Sequence, residues 1–359
     1  MLLTLYTDRL TLRPFELEDA QAMFDGWASD PEVTKYLTWP AHTSVEITKR
    51  IVLHWVADYD KPERLNFAIV LKESGELIGG IDVVGYLDDR KTPVIGYNLA
   101  RAHWGQGYMT EACRRVLAYL FEQGYEQVRI DAEVDNTASQ RVIEKCGGIW
   151  FAVEEDERPL KGDRVWVNRY LVRPGQGPIE RQHIWLGIDV EEPLQGIKPR
   201  LSAAERAAGI IHSNLTLPLH ISLKISFPAA GERAKALVEM AEAYFRSLKP
   251  FEIEVAGVEY HETIAWIRMK ENEALNRIHN ELNDRLYRGF GIPLHAYDKD
   301  FLFHTTLCLD EDPSKARAVY EVFKDVALPA VLRARRFLIG ASPDGSLGSY
   351  RVIRQVEAE

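Results

Sequence analysis

The stretch WGQGYMTEA, from Trp104 to Ala112, decides the fold of the first half of the sequence. Its glycines, Gly105 and Gly107, follow the strand-like run TPVIGYNLA and precede apolar residues that recur every three or four positions, as on one face of a helix. In such a strand, turn and helix start, backbone N–H groups can converge on phosphate oxygens, and the helix dipole assists them. The stretch therefore predicts an anion-binding turn, although glycines before a helix more often serve turn geometry alone.

Three neighbouring segments extend this pattern. NFAIVLKESGELIGGIDVVGYLD alternates around a Ser-Gly turn, which predicts an antiparallel meander. VRIDAEV predicts a further strand, and DNTASQRVIEKCGG predicts a helix that Asn136 or Ser139 starts and that two glycines end. The glycine turn is neither a dinucleotide fingerprint nor a Walker loop.

Taken together, TDRLTLRP, WGQGYMTEA and NTASQRVIEKCGG resemble the GCN5-related N-acetyltransferases, particularly the branch with ribosomal-protein alanine acetyltransferases and spermidine-type acetyltransferases. The resemblance spans residues 1–172 and implies a mixed, mainly antiparallel sheet with flanking helices. It also implies acetyl-coenzyme A as cofactor, with its pyrophosphate over the glycine turn and its thioester near splayed strands. The residues assigned to the cofactor in this way are Trp104, Gly105, Gln106, Gly107, Tyr108, Met109, Thr110 and Asn136. Ala102 departs from the family's usual Gln or Arg, but the main chain acts at that position.

Acetyl transfer to an amine requires a group that takes the amine proton and a group that assists the leaving thiolate. The resemblance implies a carboxylate for the first role, and Asp82 and Glu133 are the candidates in predicted strands. Ser139 is the candidate for the second role. The alternatives are strand carboxylates that simply face water and an ordinary helix-capping serine.

The acetyl acceptor is expected to be a small-molecule or peptide amine. Several aromatic residues fall in the region where this family shapes its acceptor pocket, although aromatic residues at helical spacing more often belong to a core. These residues are Trp27, Tyr36, Trp39 and Trp55.

The segment RPGQGPIER, from Arg173 to Arg181, concentrates proline and glycine between two strand-like runs. A chain of 359 residues exceeds what one hydrophobic core usually organises. We therefore predict a first domain over residues 1–172, a linker over 173–180 and a second domain over 181–359. Within the second domain, residues 194–214 predict a helix and a loop.

The composition, with 46% hydrophobic and 27% charged residues, is that of a globular protein. Cys113, Cys146 and Cys308 have no disulfide or zinc-ligand spacing, so we expect no metal and a reducing, cytoplasmic environment. A net charge of −10 disfavours broad binding to nucleic acid. The sequence has neither a signal-peptide pattern nor a long apolar run, so no membrane partner is expected.

A second informative stretch is FLFHTTLCLD, from Phe301 to Asp310, because its HTTL repeats the pattern of HISL in the run LPLHISLKISF. Residues two apart in a strand face the same side, so His220 points with Ser222 and His304 points with Thr306. One histidine can accept a proton while the other donates one, and the hydroxyls can bind phosphoryl oxygens. Two copies are harder to dismiss as packing histidines than one copy would be.

The two copies resemble the motifs of the two-histidine phosphoesterases, the family of 2′-5′ RNA ligase-like proteins and cyclic phosphodiesterases. The resemblance covers about Arg181 to the C-terminus and implies a two-lobed antiparallel-sheet fold. It implies that His220 and His304 are the catalytic pair, with Ser222 and Thr306 as phosphate ligands and no metal. Which histidine acts as the base stays open. Phe303 departs from the proline that is common before the second histidine.

The sequence thus predicts a two-domain α+β protein that joins an acetyl-coenzyme A-dependent N-acetyltransferase to a metal-independent phosphodiesterase for a nucleotide-type or RNA-type phosphoester. One alternative is that the second domain only binds RNA or a nucleotide. Another is a scaffold with an inactive acetyltransferase fold. The oligomeric state stays open.

Overall fold

The computed structural model describes residues 3–61, 64–210, 217–346 and 348–359. Its internal contacts divide the chain into two compact units, Met1–Ile179 and Glu180–Glu359. This division falls within the segment that was predicted as a linker, residues 173–180. No helix in the described ranges is long and apolar enough to cross a membrane.

The first unit is built on one eight-stranded sheet with helices. Its strands are β1 (Leu5–Tyr6), β2 (Leu10–Arg13), β3 (Asn66–Leu71), β4 (Leu77–Leu87), β5 (Thr92–Leu99), β6 (Val128–Glu133), β7 (Ile149–Arg158) and β8 (Asp163–Val172). Its helices are α1 (Asp19–Met23), α2 (Pro31–Thr34), α3 (Val45–Ala57), α4 (Tyr108–Glu122) and α5 (Thr137–Lys145).

The sheet order is β1-β2-β3-β4-β5-β6-β8-β7, and the pairing between β5 and β6 is parallel while the others are antiparallel. The parallel pairing comprises only Val94 with Arg129 and Ile95 with Ile130. Beyond Ile95 and Ile130 the two strands are not paired with each other, so the sheet opens between them. This opening positions the first candidate site.

Two hydrophobic clusters support the first unit. The larger cluster lies between the sheet and α4, whose Val116 and Leu120 are fully buried. The smaller cluster gathers Met23, Trp27 and Val52 from the helices that precede β3. The helices before β3 therefore have a hydrophobic cluster of their own, distinct from the one beneath α4.

The second unit contains two four-stranded sheets, ordered β10-β9-β15-β16 and β13-β12-β11-β14, with every strand pair antiparallel. The strands are β9 (Arg181–Asp189), β10 (His220–Ala230), β11 (Phe251–His261), β12 (Ile264–Met269), β13 (His304–Leu309), β14 (Val331–Ala334), β15 (Arg336–Ser342) and β16 (Arg351–Glu357). The helices are α6 (Glu191–Leu194), α7 (Lys198–Ala207), α8 (Gly231–Arg246), α9 (Glu273–Asp284) and α10 (Pro313–Phe323). The predicted α+β class and the two-lobed antiparallel architecture are confirmed.

The helix predicted within residues 194–214 is present as α7, whereas residues 211–214 of that segment lie outside the described residues. One hydrophobic cluster joins both sheets of this unit. His220 is the first residue of β10 and His304 is the first residue of β13, at the edges of their sheets, and these two strands contact each other. The fold thus brings the two repeated motifs together.

A buried polar network anchors β10. Lys224 is 2% exposed and forms an ion pair with Asp298. His279 Nδ1 donates to the Leu223 carbonyl at 2.8 Å. Removing one partner of a buried ion pair typically costs about 3–5 kcal/mol because the other charge is left uncompensated. The network therefore fixes the strand that carries His220 and Ser222.

Candidate active sites

The predicted anion-binding turn lies at the start of α4. Gly105 and Gly107 have φ values of 75° and 82°, a left-handed conformation that favours glycine. The amide of Glu111 donates to the Gly107 carbonyl at 3.1 Å, so the N–H groups before it have no partner within the helix. Trp104 Nε1 donates to the Leu99 carbonyl at 2.8 Å and ties the turn to the end of β5.

Arg9 and Thr7, from the opening TDRLTLRP, hold this turn through Glu111. Thr7 Oγ1 donates to Glu111 Oε1 at 2.6 Å, and Arg9 Nε donates to Oε2 at 2.6 Å. Burial favours the neutral carboxyl, but these hydrogen bonds outweigh it and lower the pKa of Glu111. Arg9 Nη1 also donates to the Gln106 carbonyl at 3.1 Å. The sequence did not assign this supporting role to Arg9.

A cleft of about 490 Å³ lies where β5 and β6 separate. Four predicted site residues line it, namely Asp82, Glu133, Asn136 and Ser139. The four aromatic residues predicted for the acceptor pocket line it as well. The structure thus brings these eight residues to one cavity, whereas Trp104–Thr110 lie at the helix start described above.

Asp82 lies on β4 opposite Gly96, the first residue of β5 beyond the last β5–β6 pair. Burial raises its pKa to about 7, while the Arg64 charge and a hydrogen bond from Asn66 act in the opposite direction. The Asn66 bond is long, at 3.4 Å from Nδ2 to Oδ2. A carboxyl group with such a pKa can exchange a proton near neutral pH.

Glu133, the other candidate base, is engaged in an ion pair. Arg158 Nη1 donates to Glu133 Oε1 at 2.6 Å, and the same nitrogen donates to the Lys35 carbonyl at 2.9 Å. Burial raises the pKa of Glu133 even though Arg158 and Lys161 lower it. Its carboxylate is therefore less available to a substrate amine than that of Asp82.

Asn136 and Ser139 have different local roles. Asn136 Oδ1 accepts a hydrogen bond from the Ser139 amide at 3.1 Å, so Asn136 caps α5. Ser139 Oγ lies 2.9 Å from Tyr97 Oη. Burial raises the pKa of Tyr97 well above its usual value, so the phenol keeps its proton. The sequence analysis missed Tyr97, although its place in the strand before the glycine turn was an available signal.

In the second unit, the two motif histidines have matching anchors. His220 Nδ1 lies 2.8 Å from the Pro218 carbonyl, and His304 Nδ1 lies 2.7 Å from the Leu302 carbonyl. A carbonyl oxygen only accepts hydrogen bonds, so Nδ1 carries the hydrogen in each ring. Each neutral ring therefore leaves Nε2 as the proton-accepting nitrogen.

Each histidine also packs against a tryptophan of the neighbouring strand, which the sequence analysis did not foresee. The ring centroids of His220 and Trp185 are 4.4 Å apart, and those of His304 and Trp266 are 4.6 Å apart. Trp185 is 5% exposed and covers Gly340, where an added Cβ would lie 1.9 Å from Trp185 Nε1. The glycine in FLIGAS thus makes room for the indole.

Burial lowers the pKa of both histidines, and hydrogen bonding to the carbonyl opposes this in each case. The charge of His304 further lowers the pKa of His220, as expected for two rings in one site. Ser222 and Thr306 are half-buried, two positions after each histidine on the same strand. The four predicted residues therefore supply two imidazoles and two hydroxyls at the meeting of β10 and β13.

Near this site the second unit also carries a cluster of arginines, Arg333 to Phe337. The basic cluster RARRF runs along β14 and β15, where Arg336 Nε pairs with Asp189 at 2.9 Å and Arg335 pairs with Glu192 at 2.9 Å. These arginines are thus engaged within the unit. Within the described part of the chain, no group of three or more His, Cys, Asp or Glu residues could hold a metal ion.

The chain thus combines two kinds of domain. The first has a cleft at separated strands beside a glycine turn, and the second has a pair of histidines where two sheets meet. Residues 9–149 match the family described as acetyltransferase (GNAT) domain, and residues 188–340 match the 2′-5′ RNA ligase superfamily. The chain therefore belongs to the GNAT acetyltransferases through its N-terminal domain, and its C-terminal domain matches the 2′-5′ RNA ligase superfamily over residues 188–340. Both family predictions are confirmed.

Individual relatives match the N-terminal half. The uncharacterized N-acetyltransferase p20 of Bacillus licheniformis is 38% identical over 168 residues, which cover 46% of this chain and 92% of that protein. The uncharacterized N-acetyltransferase YoaA of Bacillus subtilis is 31% identical over 144 residues, which cover 40% of this chain and 81% of that protein. A GNAT-family acetyltransferase structure from Bacillus anthracis is 25% identical with a TM-score of 0.43, and the match covers 48% of this chain and 98% of that one.

Proposed function

We propose that this chain is a bifunctional enzyme, an acetyl-coenzyme A-dependent N-acetyltransferase joined to a metal-independent phosphodiesterase for a nucleotide-type or RNA-type phosphoester. The observation that carries the proposal is the pair of histidines that start β10 and β13, each with Nδ1 held by a carbonyl and Nε2 left to act. The acetyltransferase part is supported by the GNAT match and by the cleft at the separated strands.

The residues at the start of α4 fit the cofactor that this fold implies. Left-handed Gly105 and Gly107 precede N–H groups without helix partners, and the guanidinium of Arg9 lies beside them. These groups, from Trp104 to Thr110, would hold the pyrophosphate, with Asn136 at the neighbouring helix start. Acetyl-coenzyme A, when bound, supplies an acetyl group whose carbon–sulfur bond breaks as a carbon–nitrogen bond forms.

Within the cleft, Asp82 is the proposed base. Its carboxylate lies beside the point where the strands separate, and its pKa of about 7 allows it to take a proton from an amine. Tyr97 Oη retains its proton next to Ser139 Oγ, and this pair is the proposed proton donor of the site. Glu133 stays a second candidate base, held by Arg158.

At the second site, the proposed reaction is attack of water on the phosphorus of a phosphodiester. One imidazole Nε2 takes a proton from the water as the new phosphorus–oxygen bond forms. The other imidazole gives a proton from Nε2 to the leaving oxygen as its bond to phosphorus breaks. Ser222 and Thr306 donate hydrogen bonds to the phosphoryl oxygens.

This proton exchange sets the expected pH profile. One histidine must be neutral, so activity falls as the pH drops below its pKa, and the other must be charged, so activity falls as the pH rises above its pKa. Both pKa values are lowered from the usual 6.5 in the free protein. The maximum of kcat/KM should therefore lie below pH 6.5.

The phosphodiesterase is tested by hydrolysis of 2′,3′-cyclic nucleotides and 2′-5′-linked dinucleotides in EDTA. Turnover should persist in EDTA, vanish when both His220 and His304 are changed to Ala, and survive the control His261→Ala, because His261 is exposed and lacks the motif hydroxyl. Tight nucleotide binding without turnover would instead favour a domain that only binds RNA or nucleotide.

The acetyltransferase is tested by calorimetry with acetyl-coenzyme A and by coenzyme A release. Asp82→Asn should retain cofactor binding and lose the rise in kcat/KM that the parent shows as the pH passes about 7. Asp60→Asn, an exposed aspartate outside the cleft, is the control. Absence of acetyl-coenzyme A binding by the parent would contradict this part of the proposal and favour an inactive scaffold.

A further inference from the structure

The wall of the cleft nearest the small hydrophobic cluster is aromatic and uncharged. Trp39 and Trp55 are half-buried and pack against that cluster, and the ring of Trp55 lies 5.0 Å from that of Phe15. His42 stacks beside Trp39 at 4.8 Å, and burial lowers the pKa of His42, so its ring is neutral. The wall therefore offers a surface for an apolar group of aromatic size.

Among the residues that the structure describes, five acidic ones line the same cleft, and four of these have cationic partners. Glu133 is paired with Arg158 at 2.6 Å. Asp131 pairs with Arg169 at 2.9 Å, and Asp156 pairs with the same guanidinium. Glu157 pairs with Arg164 at 2.5 Å.

Asp82 is the exception among the five. Within the described residues it has no cation within ion-pair distance, and its hydrogen-bond partner is the neutral amide of Asn66. The cation whose charge lowers its pKa, Arg64, is bonded to Asp58 at 3.0 Å. The cleft therefore has room for one additional positive charge, at Asp82.

In the described part of the chain, two arginines line the cleft, and both are engaged. Arg158 pairs with Glu133 and Asp163, and Arg169 pairs with Asp131, Glu154 and Asp156. A substrate carboxylate or phosphate would have to displace one of these partners, which leaves the displaced carboxylate without its cation. The cleft is therefore poorly suited to an acceptor with an acidic group.

We propose, on the basis of the N-acetyltransferase function above, that the acetyl acceptor is a small monoamine with an apolar body of aromatic size and no acidic group, whose ammonium pairs with Asp82. The aromatic wall of Phe15, Trp39 and Trp55 takes the apolar body. A polyamine would bring several cations to a cleft with one free carboxylate. A free amino acid would bring a carboxylate to a cleft without a free cation.

The test uses the full chain with acetyl-coenzyme A and four acceptors that differ in their ring and in their charge. Phenethylamine carries the amine and ring alone, phenylalanine adds a carboxylate, phenylalaninamide neutralises that carboxylate, and spermidine carries several cations and no ring. Acetylation is followed by coenzyme A release. The kcat/KM for phenethylamine and for phenylalaninamide should be at least tenfold higher than that for phenylalanine or spermidine. Calorimetry with acetyl-coenzyme A alone is run in parallel.

Variants locate the acceptor site. Trp55→Leu should raise KM for phenethylamine severalfold with little change in kcat and leave KM for butylamine nearly unchanged, because only the ring contact is lost. Phe151→Leu is the control, since Phe151 is 47% exposed and does not line the cleft. Equal effects of the two variants would overturn the assignment of the aromatic wall.

The possible results distinguish a wrong acceptor class from a wrong N-acetyltransferase function. If acetyl-coenzyme A binds but phenylalanine or spermidine is preferred, or if none of the four amines is acetylated, the acceptor class is wrong while the cofactor assignment stands. If acetyl-coenzyme A does not bind, the N-acetyltransferase function fails and the acceptor class fails with it.

Discussion

The strands β10 and β13 start in the same way but have different electrostatic surroundings. Each begins with a histidine whose Nδ1 is held by the carbonyl two residues earlier and whose ring packs on a tryptophan. The residue paired with His220 across the sheet is Asp189, whereas the residue paired with His304 is Arg268. A carboxylate therefore faces one imidazole and a guanidinium faces the other.

This difference adds to the effects that act on each ring. Burial is the largest effect on both histidines. For His220 the charge of His304 then lowers the pKa and Asp189 raises it, whereas for His304 Arg268 lowers the pKa. Asp189 is itself paired with Arg336 at 2.9 Å, which moderates its influence. The two histidines thus have different surroundings, and the proposed division into one base and one acid is assigned by the test that follows.

The largest expected effect is a dependence on the leaving group. Alanine in place of the histidine that acts as the acid should slow hydrolysis of a 2′,3′-cyclic nucleotide about 10²–10⁴-fold, the usual contribution of a general acid. With a p-nitrophenyl phosphodiester the loss should be much smaller, because nitrophenolate leaves without a proton. Alanine in place of the base should be equally damaging with both substrates. Initial rates of His220→Ala and His304→Ala measure this and assign the two roles, and the same leaving-group dependence in both variants would contradict the division into acid and base.

The next effect concerns Trp185, the buried tryptophan that packs on His220. Gly340→Ala would place a Cβ 1.9 Å from Trp185 Nε1, so the buried indole must move. We expect a loss of about 1–3 kcal/mol in local unfolding free energy, as for other overpacked cores. Native-state hydrogen exchange of β9 and β15 measures it. Gly196→Ala is the control because nothing lies within 4 Å of its added Cβ, and equal changes in both variants would contradict the role of Gly340.

The predictions that succeeded from sequence were those that local patterns decide. Alternation and turn residues located the meander, and Gly105 and Gly107 located the start of α4. The residue-to-residue spacing in HISL and HTTL was enough to put each hydroxyl on the face of its histidine.

What could not be predicted depends on which distant residues meet. Arg9 reaches Glu111, Tyr97 reaches Ser139, and Trp185 reaches His220 only after the sheets have formed. The pairing of Asp189 with His220 depends on strand register, and a shift by one residue would turn the carboxylate to the other face. A single sequence does not specify such long-range register.

A smaller effect should appear in the pKa values of the two histidines. Asp189→Asn removes a carboxylate that favours the charged form, so the pKa of His220 should fall. Arg268→Gln removes a cation, so the pKa of His304 should rise. The two pKa values should therefore move in opposite directions. NMR titration of the histidine Hε1 signals, assigned with the alanine variants, measures both.

The control for these titrations is Asp284→Asn, because Asp284 pairs with Arg288 in an exposed position on α9. It should move neither pKa. Shifts of the same sign in Asp189→Asn and Arg268→Gln would remove the electrostatic basis for giving the histidines different roles. The titration requires no substrate, so it stands even if the phosphoester remains to be identified.

The smallest effect should come from the more exposed tryptophan. The face of an indole stabilises a nearby cation by about 0.5–1 kcal/mol at exposed sites. Trp266→Leu should therefore lower the pKa of His304 slightly and reduce turnover two- to fivefold, whereas Trp266→Phe, which keeps an aromatic face, should recover most of the loss. Trp266 Nε1 also donates to Glu259 at 3.3 Å, and both variants lose that bond. A difference between Leu and Phe thus isolates the stacking, and equal losses would assign the effect to the hydrogen bond instead.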